Sequence, residues 1–134
     1  MVDRGADKRV VFTGWLGGAT KLAALRGARL FALLSHQENF SVATVEAMAS
    51  AVPVMVSAGV NLASHIEEAA AGWVVPWEPA PLARALALAL ADEAECRRRG
   101  RAGRDLVRRS YTWPTVAAAT AALYRSVRPA AGAR

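Results

Sequence analysis

The chain has 134 residues, the size of one ordinary domain, so a two-domain enzyme is excluded unless part of it lies on another chain. With 54% hydrophobic and 21% charged residues and a mean hydropathy of +0.19, it can bury a core and is not a disordered tail. The net charge of +6 admits acidic partners, while a lone cysteine, Cys96, rules out an internal disulfide or a cysteine zinc cluster and makes the cytosol the default compartment.

Residues 1–9 carry Asp3, Arg4, Asp7, Lys8 and Arg9 with no apolar stretch, so they read as a frayed segment rather than a signal peptide. Val10-Val11-Phe12-Thr13 is a β-branched and aromatic run that predicts a strand ending at Gly14. Gly17-Gly18 then predicts a turn, and a helical pattern runs from Ala19 to about Arg26. Ala28 to Leu34 is a second apolar run, closed by the polar loop Ser35-His36-Gln37-Glu38-Asn39. Ser41 can cap a helix from Val42 to about Ala51, which Pro53 ends before a third strand, Val54 to Ser57. A short helix over Leu62 to Ala70 and a fourth strand, Gly72 to Val75, follow, the strand closed by Pro76. Pro79 and Pro81 open an Ala- and Leu-rich helix to about Leu90; an arginine-rich helix comes next, and Trp113-Pro114 opens a last helix to about Val127. Residues 10–128 form the expected domain and 129–134 a tail. The longest weakly charged stretch is broken by Glu46, Pro53 and Gly59 and does not read as a membrane span.

Near-continuously apolar strands alternating with helices predict an α/β fold, a Rossmann-like parallel sheet with helices on both faces. Ligands in such sheets sit beyond the carboxyl ends of the strands, which directs attention to loops 14–18, 35–41 and 57–61.

Much of the positive charge is concentrated in Arg97, Arg98, Arg99, Arg101, Arg104, Arg108 and Arg109. On a helix these fall on several sides, anchored by Leu106 and Val107, and the first reading is a solvated helix. A basic face for an anionic membrane or a lipid-linked acceptor is the second reading. Nucleic acid ranks last, since the cluster holds no aromatic residue on which bases could stack. The other signals are plain: Gly14-x-x-Gly17-Gly18 fits neither phosphate-loop pattern, no acid orients His36 or His65 for nucleophilic chemistry, and the four tryptophans read mainly as core or interface residues. Trp15 has a secondary reading beside a nucleotide base.

Glu46 is the most informative side chain. It is the one charged residue between Phe40 and Ile66, on a helix otherwise built mainly of Val42, Ala43, Val45, Ala47, Met48 and Ala49. A buried carboxylate needs a donor from the protein or from a ligand. Helical side chains lean towards the N-terminus, so Glu46 can reach the mouth of the preceding loop. The N–H groups of Ser41, Val42 and Ala43 and the helix dipole there favour an anion such as a pyrophosphate. Glu38 lies eight residues earlier in the same loop. A phosphate-binding helix end beside carboxylates that accept from sugar hydroxyls is the chemistry of a nucleotide-sugar site. The plainer alternatives are a Glu46 bonded to a neighbouring loop's backbone and a solvated Glu38.

Ser35-His36-Gln37-Glu38-Asn39-Phe40-Ser41, Val45-Glu46-Ala47-Met48-Ala49 and Pro53-Val54 resemble the E-x7-E signature of family 4 retaining glycosyltransferases, in its frame of S-x-x-E-G-F-G, L-E-A-M-A and G-x-P-V. Val11-Phe12-Thr13-Gly14, Gly72-Trp73-Val74-Val75-Pro76 and Tyr111-Thr112-Trp113 with Tyr124 extend the resemblance on both sides. It implies the partial C-terminal half of a GT-B enzyme, whose two Rossmann-like domains face each other across a cleft. It further implies a nucleotide-diphospho-sugar donor, with Glu46 accepting from the ribose and Glu38 set catalytically against the donor sugar. Asn39, Phe40, Ser41 and Val42 would contact sugar or diphosphate, and Gly14 and Trp15 would lie near the base. Neither metal nor cofactor is implied. Asn39, Ser41 and Ala51 stand where the family favours glycine.

The acceptor domain and the basic pair that grips the diphosphate are expected before Val10 and are absent from this sequence. The expected product is therefore a nucleotide-sugar-binding half that needs an acceptor domain or partner chain, in the cytoplasm and peripherally at the inner face of the membrane. A non-catalytic domain that completes a separately encoded partner is the alternative.

Overall fold

The computed structural model describes residues 10–127; the frayed segment expected over 1–9 and the tail over 129–134 lie outside the described residues. The elements run α1 (Gly18–Gly27), β1 (Phe31–Leu33), α2 (Val42–Ala49), β2 (Val54–Ser57), α3 (Ala63–Glu68), β3 (Gly72–Val75), α4 (Pro79–Ala91), α5 (Glu93–Ser110) and α6 (Trp113–Val127). The sheet is parallel, ordered β1-β2-β3, with Phe31 opposite Val54, Leu33 opposite Val56, Val54 opposite Gly72 and Ser57 opposite Val75.

The strand expected over Val10 to Thr13 does not form. Val11 and Phe12 are each 81% exposed, and no strand among the described residues lies alongside to take up their backbone groups. A β-branched run becomes a strand only where a neighbour supplies the ladder and a face to cover. Among the described residues the sheet therefore has three strands instead of the expected four.

As the central strand, β2 is buried throughout, and its period of two divides the core. Val54 and Val56 join Ala47 and Met48 of α2, Ala63 and Ile66 of α3, and Leu106 and Val107 of α5. Met55 faces the other way, onto Val75 and Ala89, with Leu82, Ala85 and Leu86 of α4 around it. Helices thus cover both faces of the sheet. Helix α5 buries Cys96, Gly100, Gly103, Leu106 and Val107 along one stripe, so Leu106 and Val107 are anchors as their apolar character predicts. Helix α6 buries no residue. Trp15 and Trp113 are almost fully exposed, which removes the core half of their reading as core or interface residues, whereas Trp73 is half-buried and packs beside Val75 under α4.

Candidate donor site at the carboxyl edge of the sheet

Both loops that leave the carboxyl ends of β1 and β2 meet at one edge. The Glu38 N–H donates to the Gly59 carbonyl at 3.0 Å, and the Asn61 N–H donates to the Glu38 carbonyl at 3.0 Å, so Glu38 and Val60 form a short parallel bridge. A β-carbon on Gly59 would run into the His36 carbonyl, which explains a glycine there. Below the bridge, Ser57 is buried at the end of β2. Its hydroxyl accepts from the Ser35 N–H at 2.8 Å and donates to the Ser35 carbonyl. Asn61 adds a side-chain bond to Asn39 Oδ1 at 3.3 Å. Glu38 and Asn39 are therefore carried on a loop braced by the neighbouring strand.

Helix α2 starts from this loop. Ser41 caps it by accepting from the Thr44 N–H at 3.3 Å, as its identity predicts, and Glu38 Oε1 accepts from the Ser41 N–H at 3.3 Å. A carboxylate beside the positive end of a helix is electrostatically favoured. Ser41 holds this geometry with φ 50°, a left-handed backbone. Phe40 and Val42 are both largely exposed. The Phe40 ring meets Tyr111 edge-on at 5.7 Å, and the Tyr111 hydroxyl is 2.7 Å from His65 Nδ1. That contact ties the loop to the end of α5 and to α3. Burial pushes the Tyr111 hydroxyl above its ordinary pKa.

Glu46 is half-buried, with 32% of its side chain exposed, rather than enclosed as its apolar surroundings suggest. Its donor comes from the protein. Lys21 Nζ of α1 lies 2.6 Å from Glu46 Oε1. Lys21 and Glu46 sit at similar depth, about one turn inside two helices that each follow a loop. The signal for Lys21 was the lone carboxylate itself, which calls for a cation without saying where one lies.

The structure thus brings Glu38, Asn39, Ser41 and Glu46 onto one loop-and-helix unit at the carboxyl edge. Gly14 and Trp15 stand apart, in the exposed stretch before α1. Gly14 has φ 64°, Trp15 is 95% exposed with its indole back over Gly17, and no hydrogen bond among the described residues joins either to the Glu38 loop. The arginines of α5 are partly committed within the protein. Arg97 pairs with Glu93, Arg98 and Arg99 with Glu95, and Arg99 also reaches the Gly72 carbonyl and stacks 4.6 Å over Trp73. The Arg98 and Arg99 hydrogen bonds hold the Glu95 carboxyl down at about 2. No helix among the described residues is long and apolar enough to cross a membrane.

A parallel α/β sheet covered on both faces, with a braced acidic loop feeding a capped helix at its carboxyl edge, defines a Rossmann-like class of domain, in which ligands characteristically lie at that edge. Residues 2–106 match the family described as glycosyl transferases group 1, and the chain belongs to that family. Over 92% of its length it is 33% identical to a glycogen synthase of Mycobacterium tuberculosis, of which it covers 31%. Among solved structures, a sucrose-phosphate synthase of Thermosynechococcus elongatus superposes with a TM-score of 0.78 and 33% identity, over 90% of this chain and 30% of that one. The C-terminal domain of a group 1 glycosyl transferase, LpcC, from Francisella tularensis superposes with a TM-score of 0.68 and 26% identity, over 81% of this chain and 57% of that one. The fold is that of the C-terminal domain of a GT-B glycosyltransferase. The chain spans about a third of the length of the glycogen synthase it matches.

Proposed function

We propose that this chain is the donor-binding half of a retaining glycosyltransferase that moves a hexose from a nucleotide-diphospho-sugar to a glycan or lipid-linked acceptor, turning over only with an acceptor domain. The observation that carries the reading is the placing of Glu38 and Glu46 on one strand-to-helix unit at the carboxyl edge, with the capped start of α2 between them. Kinship with a glycogen synthase and a sucrose-phosphate synthase supports sugar transfer as the chemistry.

In this reading Glu46 accepts from the ribose hydroxyls, oriented by Lys21. Glu38 stands against the donor sugar, where positive charge develops as the glycosidic bond loosens. The backbone of Asn39 to Val42 meets the sugar and diphosphate, using the N–H groups at the start of α2, and Gly14 and Trp15 lie towards the base. Donors fixed in advance around the departing diphosphate lower the barrier without needing to reorganise. Neither metal nor cofactor enters the scheme. The cytoplasm supplies such donors, and any peripheral contact with an anionic membrane falls to Arg101, Arg108 and Arg109, the exposed arginines of α5 outside its ion pairs.

Titration of the chain with UDP-, GDP- and ADP-glucose by calorimetry or NMR tests the reading. One of them is expected to bind, and Glu46→Gln to weaken it by about tenfold or more, the scale of a hydrogen bond to a charged group. Absence of binding by all three sugar nucleotides, with Glu46→Gln folded as the parent, overturns it.

A further inference from the structure

Between α1, α2 and α5 lies a groove of about 330 Å³ lined by Leu22, Arg26, Glu46, Ala49, Ser50 and Arg104. Its charge is lopsided. Arg26 comes from the last turn of α1 and Arg104 from within α5, while the one carboxylate, Glu46, is already matched by Lys21 at 2.6 Å. Neither arginine makes a salt bridge among the described residues. The Nε atom of Arg104 is buried and has no hydrogen-bond partner among the described residues. A charged N–H withdrawn from water without an acceptor is destabilising, and the two guanidinium groups leave the groove with more donors than acceptors.

Of the carbonyls in the last turn of α2, those of Glu46, Ala47 and Met48 already accept from the Ser50, Ala51 and Val52 N–H groups. Two guanidinium groups with planar, forked donors match a group that presents several oxygens at once, as phosphate does. A groove of this volume admits a small molecule rather than a polymer. We propose that it binds a small oxyanion of the phosphate class, held by Arg26 and Arg104 with the Ser50 hydroxyl as a further donor. The site shares Glu46 as a wall with the donor site, but its arginines lie about a turn further along α2, beside Ala49 and Ser50, away from the Glu38 loop. It stands whether or not the chain binds a sugar nucleotide.

The test is a titration of the 15N-labelled chain with inorganic phosphate at constant ionic strength, following the Nε–Hε signals of Arg26 and Arg104. Both are expected to shift saturably. Arg104→Gln and Arg26→Gln should each weaken the binding by about tenfold, and Glu38→Gln in the neighbouring loop should leave it unchanged. A shift that only drifts linearly with phosphate overturns the proposal, as does an affinity unchanged from the parent in the arginine variants. So does loss of binding in Glu38→Gln, which would assign the anion to the donor loop instead. Should Arg104→Gln fail to fold, Arg26→Gln carries the test, because Arg26 is exposed and its removal leaves the core intact.

Discussion

Ser41 and Ala51 both have left-handed backbones, with φ of 50° and 60°, at positions where the resembled family favours glycine. The left-handed region brings Cβ against the following carbonyl and is unfavourable by roughly 1–2 kcal/mol for a residue with a side chain. At Ser41 the side chain repays part of this by capping α2 and by lying 2.7 Å from the Thr44 hydroxyl. The methyl group of Ala51 makes no such contribution. Ala51→Gly should therefore raise stability by about 1 kcal/mol, with a later urea midpoint and an unchanged slope. Ser41→Gly should gain less, since it gives up the cap. Equal gains in the two variants would show that the Ser41 cap contributes nothing. The two residues flank α2, Ser41 at its start beside the proposed site and Ala51 past its far end.

At the scale of elements, α5 governs how closely the helix layer approaches the sheet. Gly100 faces Ala51, and a β-carbon there would run into the Ala51 carbonyl, whereas one on Gly103 would meet the Met48 side chain at 3.1 Å. Gly→Ala in a helix interior ordinarily stabilises by up to about 1 kcal/mol. Here overpacking against backbone, typically about 1–3 kcal/mol, should reverse the sign for Gly100→Ala, and thermal unfolding should register a lower midpoint. Gly103→Ala should lose less, because a side chain yields more readily than a carbonyl. The punctuation that fixes such elements was legible: Pro53 and the Val54 to Ser57 run mark β2, Gly72 and Pro76 bracket β3, and Ser41 opens α2. What depends on two elements lying side by side was not. Val10 to Thr13 has strand composition, but no strand among the described residues lies alongside it, and nothing in Glu46 points to Lys21 until α1 and α2 lie together. The bracing of Glu38 by Gly59 and Asn61 is legible only once two loops meet at the same edge.

Across the whole molecule, cohesion is uneven. The core is concentrated around β2, while α6 buries no residue and exposes Trp113, Leu123, Tyr124 and Val127. These positions recur at helical spacing, so the apolar surface of α6 is a face rather than scattered residues. Val11, Phe12 and Trp15 add a second exposed apolar stretch before α1. Local opening requires only the loss of the contacts an element makes, and α6 has few to lose. Its amides should exchange with solvent at least about a hundredfold faster than that of Met55 in β2, whose exchange should follow global unfolding. The measurement is hydrogen exchange by NMR on a dilute sample of the chain. Protection of α6 equal to that of β2 would contradict the reading, because it would require its apolar face to be covered. If that protection fell away on dilution, the cover would be a second copy of the chain; if it persisted, the helix would be held by contacts within the chain.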